Sequence, residues 1–549
     1  MSPVTKTLPA LMLPLLAACA PAAPPTPAAP PAVVKTELLG SFAGVGATLH
    51  PDNAGPQRVE FYGTDLGFTY QHDDQIRILF GDSWAIENYA PIEASTGATF
   101  DDAFGTIDLK VWADPSRIAP GTIPPILLGQ NPGTTEAAAI DPGHVMDLGK
   151  TPMGGFSNGS REFGIFNITK PQGCTVIADC DNGLTCDPAL GYLGVPYSQQ
   201  DNLTLGCRDG APGCNADTMT DAAGAPVRGS GFCTDETSVL RGPRVSNLLS
   251  AIGIRVLVGL RDAAAPKKYG ETREWLTNKF MNVTVRTVAS FDPAGESKPD
   301  WSPATGAGGK QRVFLWGRPG FVGVAANQRS LALYFAYVDM PAAPGFEWKP
   351  MYYSGSKDGV PQFSAEEADS VPVDLDSTRS GVQPEEAIDI VNQMSVSWVE
   401  ALGKWVMFYG GGLTTLPSPA LPNCGVLELF SGIECKDVAV GNGAVRMRSA
   451  EHPWGPWTPP RDVVVADPAG GPNGQFGPGG ALRHVDCRDP ACAPHSAIFV
   501  YHEDEYGFFY SANIIEQWTR ASGDGVDIIW NASTWDPYRV VLFRTHIRQ

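Results

Sequence analysis

Apolar and polar positions along this chain alternate in short bursts, and no stretch shows the periodicity of a long amphipathic helix. β-type runs recur instead, at Arg77–Phe80, Phe163–Ile168, Ile254–Leu260, Met281–Ser290, Arg312–Trp316, Leu331–Tyr337, Ser395–Trp398, Lys404–Tyr409, Ala497–Tyr501 and Arg539–Arg544. Several are followed by glycine or aromatic-glycine punctuation, as in FGDSW, LWGRPG and FYGGG. Short strands separated by turn signals mean a sandwich, a barrel or a propeller, and repeated hairpins favour the propeller. The runs group into about five units. These are Arg58–Lys110, a second from Pro152 that resumes near Val245, Arg312–Ser354, Asn392–Val464 and Gly474–Arg544. The expected fold is an all-β, five-bladed β-propeller.

The first hairpin carries an electrostatic oddity. GTDLGFTYQHDDQIRILFGDSW (Gly63–Trp84) has two apolar arms around a polar centre. A turn centred on Asp73-Asp74 pairs residues whose numbers sum to about 147. That register puts Asp65 opposite Asp82, and like charges facing each other destabilise a hairpin. Glycines flank both acids (Gly63, Gly67, Gly81), Phe68 and Trp84 lie beside them, and a third acidic cluster follows at Asp101, Asp102 and Asp108. Converging carboxylates are the tools of glycoside hydrolysis, which needs one protonated acid and one ionised base or nucleophile. Crowding pushes their pKa values apart and so assigns the roles.

Composition narrows the setting. The chain has 549 residues, is 43% hydrophobic, and contains 61 Gly and 49 Pro, which suits many strands and turns. Its net charge is −20, with no Lys/Arg cluster, so nucleic acid is not an expected partner. The N-terminus, MSPVTKTLPALMLPLLAACA, joins Lys6, an apolar run and Leu16-Ala17-Ala18-Cys19. It resembles a bacterial lipoprotein signal (residues 1–18), with Cys19 as the lipidated residue; the alternative is a plain signal peptide. The apolar run is too short to stay as a membrane helix. Residues 19–35 read as an extended Ala/Pro-rich tether, and folding is expected from Thr36 to the end at residue 549. The expected location is the bacterial cell envelope, at the outer membrane or cell surface, with lipid as the only membrane contact.

Setting Cys19 aside leaves ten of the 11 cysteines. They fall in local even groups: Cys174, Cys180, Cys186, Cys207, Cys214 and Cys233; Cys424 and Cys435; Cys487 and Cys492. In an exported chain these read as disulfides, because their spacings are too wide and irregular for zinc knuckles. Every pairing within the first six is open. Residues 174–233 then form a disulfide-stapled insert in one blade.

Other motifs carry less. Gly155-Phe156-Ser157-Asn158-Gly159 fits G-x-S-x-G, but REFGIFNI after it reads as a strand and not as the helix a nucleophile elbow needs. His502-Glu503-Asp504-Glu505 lacks the second histidine of a zinc-protease motif. Glu162 and Glu386 are reserve acids. No cofactor is called for; Asp374 and Asp376 in VDLDSTRSG are the candidates for a structural Ca2+, without EF-hand spacing. Trp84, Trp316, Trp398, Trp405, Trp454 and Trp457 are expected mostly in the core, with one or two free to stack on a sugar ring. Arg318 is a candidate hydroxyl-binding donor.

The pattern G-x-D-L-G-F-x-Y … L-F-G-D-S-W, followed by D-D-A-F-G, resembles the opening of the domain-of-unknown-function family 4185. TPMGGFSNG (151–159), NQMSVSWVEALGKWVMFYGG (392–411) and MRSAEHPWGPWT (447–458) resemble its later pieces. The resemblance runs from Arg58 to Arg544, apart from the insert. It implies a five-bladed propeller related in architecture to glycoside hydrolase families 43 and 32, and some members resemble the endo-D-arabinanases of glycoside hydrolase family 183. On this sequence the matching acids are Asp65 and Asp82, with Asp102 at the next acidic position. The chain departs from the pattern at Gln393, where an acid is more usual. The expectation is therefore an envelope-anchored hydrolase of a furanose-containing polysaccharide such as D-arabinan. Asp65 would be base or nucleophile, Asp82 its acidic partner and Asp102 a tuning group, with Phe68, Trp84, Arg318 and Gln393 contacting sugar. The alternative is a non-catalytic carbohydrate-binding or structural surface lipoprotein. Retaining or inverting stereochemistry and endo or exo action stay open.

Overall fold

The computed structural model describes residues 31–44, 46–53, 61, 63–84, 100–129, 150–169, 173–174, 185–187, 231–234, 254–262, 268–277, 279–291, 310–318, 333–339, 346–357, 360–375, 391–416, 438–464, 509–534 and 539–548. The signal segment with Cys19 therefore lies outside the described residues. So do Glu386, Asp376, His502–Glu505, and Cys180, Cys207, Cys214, Cys424, Cys435, Cys487 and Cys492.

The N-terminal strand β1 (Ala32–Ala43) comes first in the chain but belongs to the last blade. Blade 1 is β2 (Gly63–His72), β3 (Gln75–Trp84), β4 (Phe100–Asp108) and β5 (Leu127–Leu128). Blade 2 is β6 (Lys150–Ser157) and β7 (Glu162–Thr169), later joined by β11 (Ile254–Arg261) and β12 (Tyr269–Trp275). Between its halves lies a small sheet of β8 (Gly173–Cys174), β9 (Thr185–Asp187) and β10 (Gly231–Thr234), in the order β8-β10-β9. Its register sets Cys186 opposite Cys233 and Cys174 opposite Gly231.

Blade 3 is β13 (Asn282–Phe291), β14 (Lys310–Arg318), β15 (Tyr334–Asp339), β16 (Met351–Lys357) and β17 (Val360–Ser364). Blade 4 is β18 (Val391–Val399), β19 (Lys404–Leu416), β20 (Val438–Ala450) and β21 (Arg461–Val464). Blade 5 is β22 (Phe509–Ile514), β23 (Arg520–Ser522), β24 (Gly525–Thr534) and β25 (Arg539–Arg548), with β1 laid along β25. The chain is a five-bladed β-propeller, as its strand pattern predicts.

The first strands of the blades form the inner ring: β2 packs on β6, β6 on β13, β13 on β18, β18 on β22, and β22 on β2. The ring closes through β1, which pairs with β25 from Ala32↔Arg548 to Ala43↔Val540. Two boundaries differ from the sequence reading. Blade 3 opens at β13, not at Arg312, because β13 and β14 are hairpin partners across a long connection that gives no tight-turn signal. Strand β1 begins at Ala32, so the last residues expected in the tether are already in the sheet.

The apolar core is divided among the seams between blades. Leu66, Met153, Phe163 and Val285 fill the seams of blades 1 to 3; Phe314, Trp316, Trp405 and Trp457 fill the seam of blades 3 and 4. Val406, Phe408, Trp530 and Phe543 join blades 4 and 5, and Phe42, Phe80, Trp518 and Leu542 join blade 5 to blade 1. The expectation that most tryptophans are core holds for Trp316, Trp405, Trp454 and Trp457, all buried, and Trp398 packs partly buried against them. G-x-S-x-G forms a strand–turn–strand: Ser157 ends β6, Gly159 turns at φ 86° and β7 follows, so no nucleophile elbow exists there. Among the described residues no helix is long and apolar enough to cross a membrane.

Candidate functional site

The inner strands all start at one end of the ring. Near these heads Tyr510 of β22 meets Asp65 of β2, and near the tails His72 of β2 meets Ser157 of β6. Asp65 is the acid at the head of the blade 1 inner strand. It is 7% exposed, and Tyr510 Oη donates to its Oδ2 at 2.9 Å. Beside it the Thr64 and Ser83 hydroxyl groups are 2.7 Å apart, and the Gly81 carbonyl lies 3.3 Å from Thr64 Oγ1 and 2.9 Å from Ser83 Oγ, so the two protons serve two of these three contacts. These bonds pin β2 to β3 at the level of the acid.

Asp65 and Asp82 do not face each other. From the turn, the pairs His72↔Gln75 to Phe68↔Leu79 keep the expected register. A bulge at Leu66-Gly67 then slips it, so that Leu66 faces Phe80 and Asp65 faces Gly81. Leu66 and Gly67 both take left-handed conformations, with φ 65° and 69°. Sterics disfavour this region for leucine by about 1–2 kcal/mol. Gly67 lies where a Cβ would come within 3.0 Å of Asn531 Oδ1 and 3.1 Å of Val540 Cγ1, so its lack of a side chain fits the crowding as well as the φ.

Blade 5 holds this bulge in place. Leu66 N–H donates to Ser533 Oγ at 2.7 Å, Asn513 Nδ2 donates to Leu66 O at 2.9 Å, and Asn531 Nδ2 donates to Gly67 O at 2.9 Å. Ser511, Asn513, Asn531 and Ser533 are all buried. Buried polar groups with partners of this kind fix a unique geometry. Backbone strain that the surroundings over-determine is concentrated at functional sites.

Gly81 is the space beside the carboxylate. A Cβ on it would sit 2.7 Å from Asp65 Oδ1 and 2.5 Å from Leu66 Cδ1. The next strand keeps its register as far as Phe80↔Ala103, then shifts before Ser83↔Asp101. Asp102 lies within that shift, on β4, with β3 between it and Asp65 of β2. Asp102 is buried at 3% exposure. Asp82 follows Gly81 in β3, and its side chain, like that of Trp84, lies outside the described residues.

The remaining sequence candidates have other placements. Phe68, expected to contact sugar, is 4% exposed, packs in the seam core and lines a small cavity. Arg318 is fully buried at the end of β14, opposite Asn282 at the head of β13, and burial pulls its guanidinium down to about 10. Gln393 lies near the head of the blade 4 inner strand and is 8% exposed. Below the heads, Arg286 crosses the ring: Nε donates to Val396 O at 2.7 Å and Nη2 to Ile514 O at 3.1 Å. It lines a small cavity with Phe68, Met153, Thr284 and Asn513.

Glu162 lies at the opposite end from Asp65. It binds Arg77 Nε at 2.9 Å, accepts from Tyr70 Oη at 3.0 Å, pairs with Arg261, and has His72 Nε2 at 3.6 Å. Burial pushes its carboxyl up, but the hydrogen bond and charge of Arg261 and the charges of Arg77 and His72 outweigh that, holding it below the usual range. It is an inter-blade ion cluster. Among the described residues no group of three or more His, Cys, Asp or Glu is placed to hold a metal, and Asp374 is exposed.

Tyr510, Ser511, Asn513, Asn531 and Ser533 escaped the sequence reading. Their signal was the small polar residues inside FFYSANIIEQW and IIWNASTW, strands whose other positions are apolar.

No family model and no curated protein matches the chain. Among solved structures it is similar to a Bacteroides ovatus protein assigned as a hydrolase, at 10% identity over 89% of this chain and 86% of that one, TM-score 0.37. It is similar to an α-L-arabinofuranosidase from Podospora anserina, at 9% identity over 94% and 98%, TM-score 0.30. A glycoside hydrolase family 43 protein from Bacillus licheniformis shares 9% identity over 89% and 72%, TM-score 0.27. Likeness of this degree speaks to neither substrate nor mechanism.

Proposed function

We propose that this protein is a glycoside hydrolase of the cell envelope, acting on a furanose-containing polysaccharide such as D-arabinan. The observation that carries the reading is Asp65, a buried acid at the head of an inner strand, bound by Tyr510 and presented by a strained bulge that Ser533, Asn513 and Asn531 of blade 5 hold. A solvated surface acid needs no such support. In this reading Asp65 acts as base or nucleophile, Asp82 as its acidic partner and Asp102 as a tuning group.

The test is incubation of the purified chain with D-arabinan and a panel of other polysaccharides, followed by chromatography of the products. Cleavage that falls by roughly two or more orders of magnitude in Asp65→Asn, with unfolding unchanged, supports the reading. Cleavage that survives the substitution removes Asp65 from the mechanism. A second reading, carbohydrate binding without cleavage, draws on Gln393, a neutral amide near the head of the blade 4 inner strand. It predicts retention of glycan with no product released by the wild type.

A further inference from the structure

We infer that Tyr510 is the positioning residue of Asp65, fixing its carboxylate in one orientation and favouring its ionised form. The consequence for turnover rests on the hydrolase reading; the pairing itself does not. Tyr510 Oη and Asp65 Oδ2 are 2.9 Å apart, 445 residues apart in sequence, and both side chains are 7% exposed. The Tyr510 ring packs in the same core cluster as Leu66 and Phe68, so its hydroxyl group has little freedom.

The backbone on both sides is bent to make this contact. Three non-glycine residues among those described have positive φ. One, Asp73, forms the hairpin turn. The other two are Leu66, next to Asp65, and Ser511, next to Tyr510, at φ 65° and 50°. The register of β22 against β24 also breaks just after Tyr510, between Tyr510↔Ser533 and Asn513↔Asn531. Two strained residues on strands from opposite ends of the chain thus flank one hydrogen bond. Strain of this kind persists only where surrounding structure over-determines it.

An O–H donor on a carboxylate stabilises the charged form and holds the group in place. With Oδ2 on Tyr510, Oδ1 lies over Gly81 beside the Leu66 side chain. The titratable groups at the head end of strands packed on β2 are Tyr510, Asp82, Lys150 and Arg539, with Asp102 one strand further.

The experiment titrates Asp65 directly. Protein labelled with 13C at aspartate carboxyl carbons is followed by NMR across pH, and the Asp65 signal is assigned by its loss in Asp65→Asn. In Tyr510→Phe, which keeps the ring and removes the hydroxyl, the Asp65 midpoint is expected to rise by about one to two pH units. An unchanged or lowered midpoint overturns the inference. On a cleaved polysaccharide the same variant should lower kcat with KM little changed, and move the acid limb of the profile upward. If the wild type cleaves nothing, the hydrolase reading fails while the NMR midpoint still decides the role of Tyr510.

Discussion

Gly81 governs where the Asp65 carboxylate can lie. The bulge at Leu66-Gly67 exchanges the Asp82 expected opposite Asp65 for a residue with no side chain. The missing Cβ leaves room for both Asp65 Oδ1 and Leu66 Cδ1. Gly81→Ala puts a methyl group 2.7 Å from that oxygen and 2.5 Å from Leu66 Cδ1. Because both contacts are with side chains, the fold should survive while the carboxylate is displaced. The expected outcome is a fall in kcat of about 100-fold, in keeping with the sensitivity of turnover to misplacement near 1 Å, with a small change in unfolding midpoint. Steady-state kinetics beside thermal unfolding checks both halves. The glycines around the acids were plain in the sequence, but it could not say which one would lie under a carboxylate.

At the scale of elements, blades 1 and 2 meet through an apolar seam near the heads and an ion cluster near the tails. Glu162 at the start of β7 joins Arg77 of β3, Arg261 of β11, and Tyr70 and His72 of β2. Two guanidinium groups and an imidazole are thus collected around one buried carboxylate. Glu162→Gln keeps the shape and removes the negative charge, leaving the cations uncompensated. The expected loss is about 3–5 kcal/mol, read from the urea midpoint. A double-mutant cycle with Arg77→Gln should recover part of it, since the second change removes one stranded cation. Sequence reasoning had Glu162 only as a spare acid, because the four residues around it are about 85 to 99 residues away in the chain, Arg261 beyond the cysteine-rich insert and the other three in blade 1.

At the scale of the whole molecule, stability depends on closing the ring. The seam is the β1–β25–β24 ladder, where His546 lies opposite both Lys35 and Asp527. Its Nδ1 is 2.8 Å from Asp527 Oδ1 and its Nε2 is 3.2 Å from Asp524 Oδ1. The hydrogen bond to Asp527 raises the imidazole above its ordinary value, against a smaller opposing effect of burial, and Asp524 adds to the rise. Asp524 in turn is held below the usual carboxylate range by His546 and Arg548. A raised histidine stabilises fully below its unfolded value and loses that contribution as pH rises through its folded value. A lowered aspartate contributes above its unfolded value and is lost as pH falls through its folded one. The clasp is therefore strongest between the ordinary aspartate and histidine values. The difference in Tm between wild type and His546→Gln should peak near about pH 5.5 and shrink as pH is raised past neutrality. A difference that grows with pH would contradict the assignment.

Local pattern was enough for the fold class. Alternating runs with glycine punctuation identify strands, and their grouping gives five blades, because side-chain period and turn chemistry act over a few residues. The same pattern places the Gly63–Trp84 hairpin and its turn. What it could not supply is whatever depends on strands distant in the chain. The ladder of β1 on β25, the slip that sets Asp65 over Gly81, and the blade 5 residues that hold that slip arise only when the ring closes. Leu66 is left-handed because Ser533 and Asn513, more than 400 residues away, hydrogen-bond its backbone there. By itself the sequence determined that acids gather at the open end of the first hairpin; the tertiary structure decided which of them is held, and by what, since a strained conformation stands only where contacts from elsewhere offset its cost.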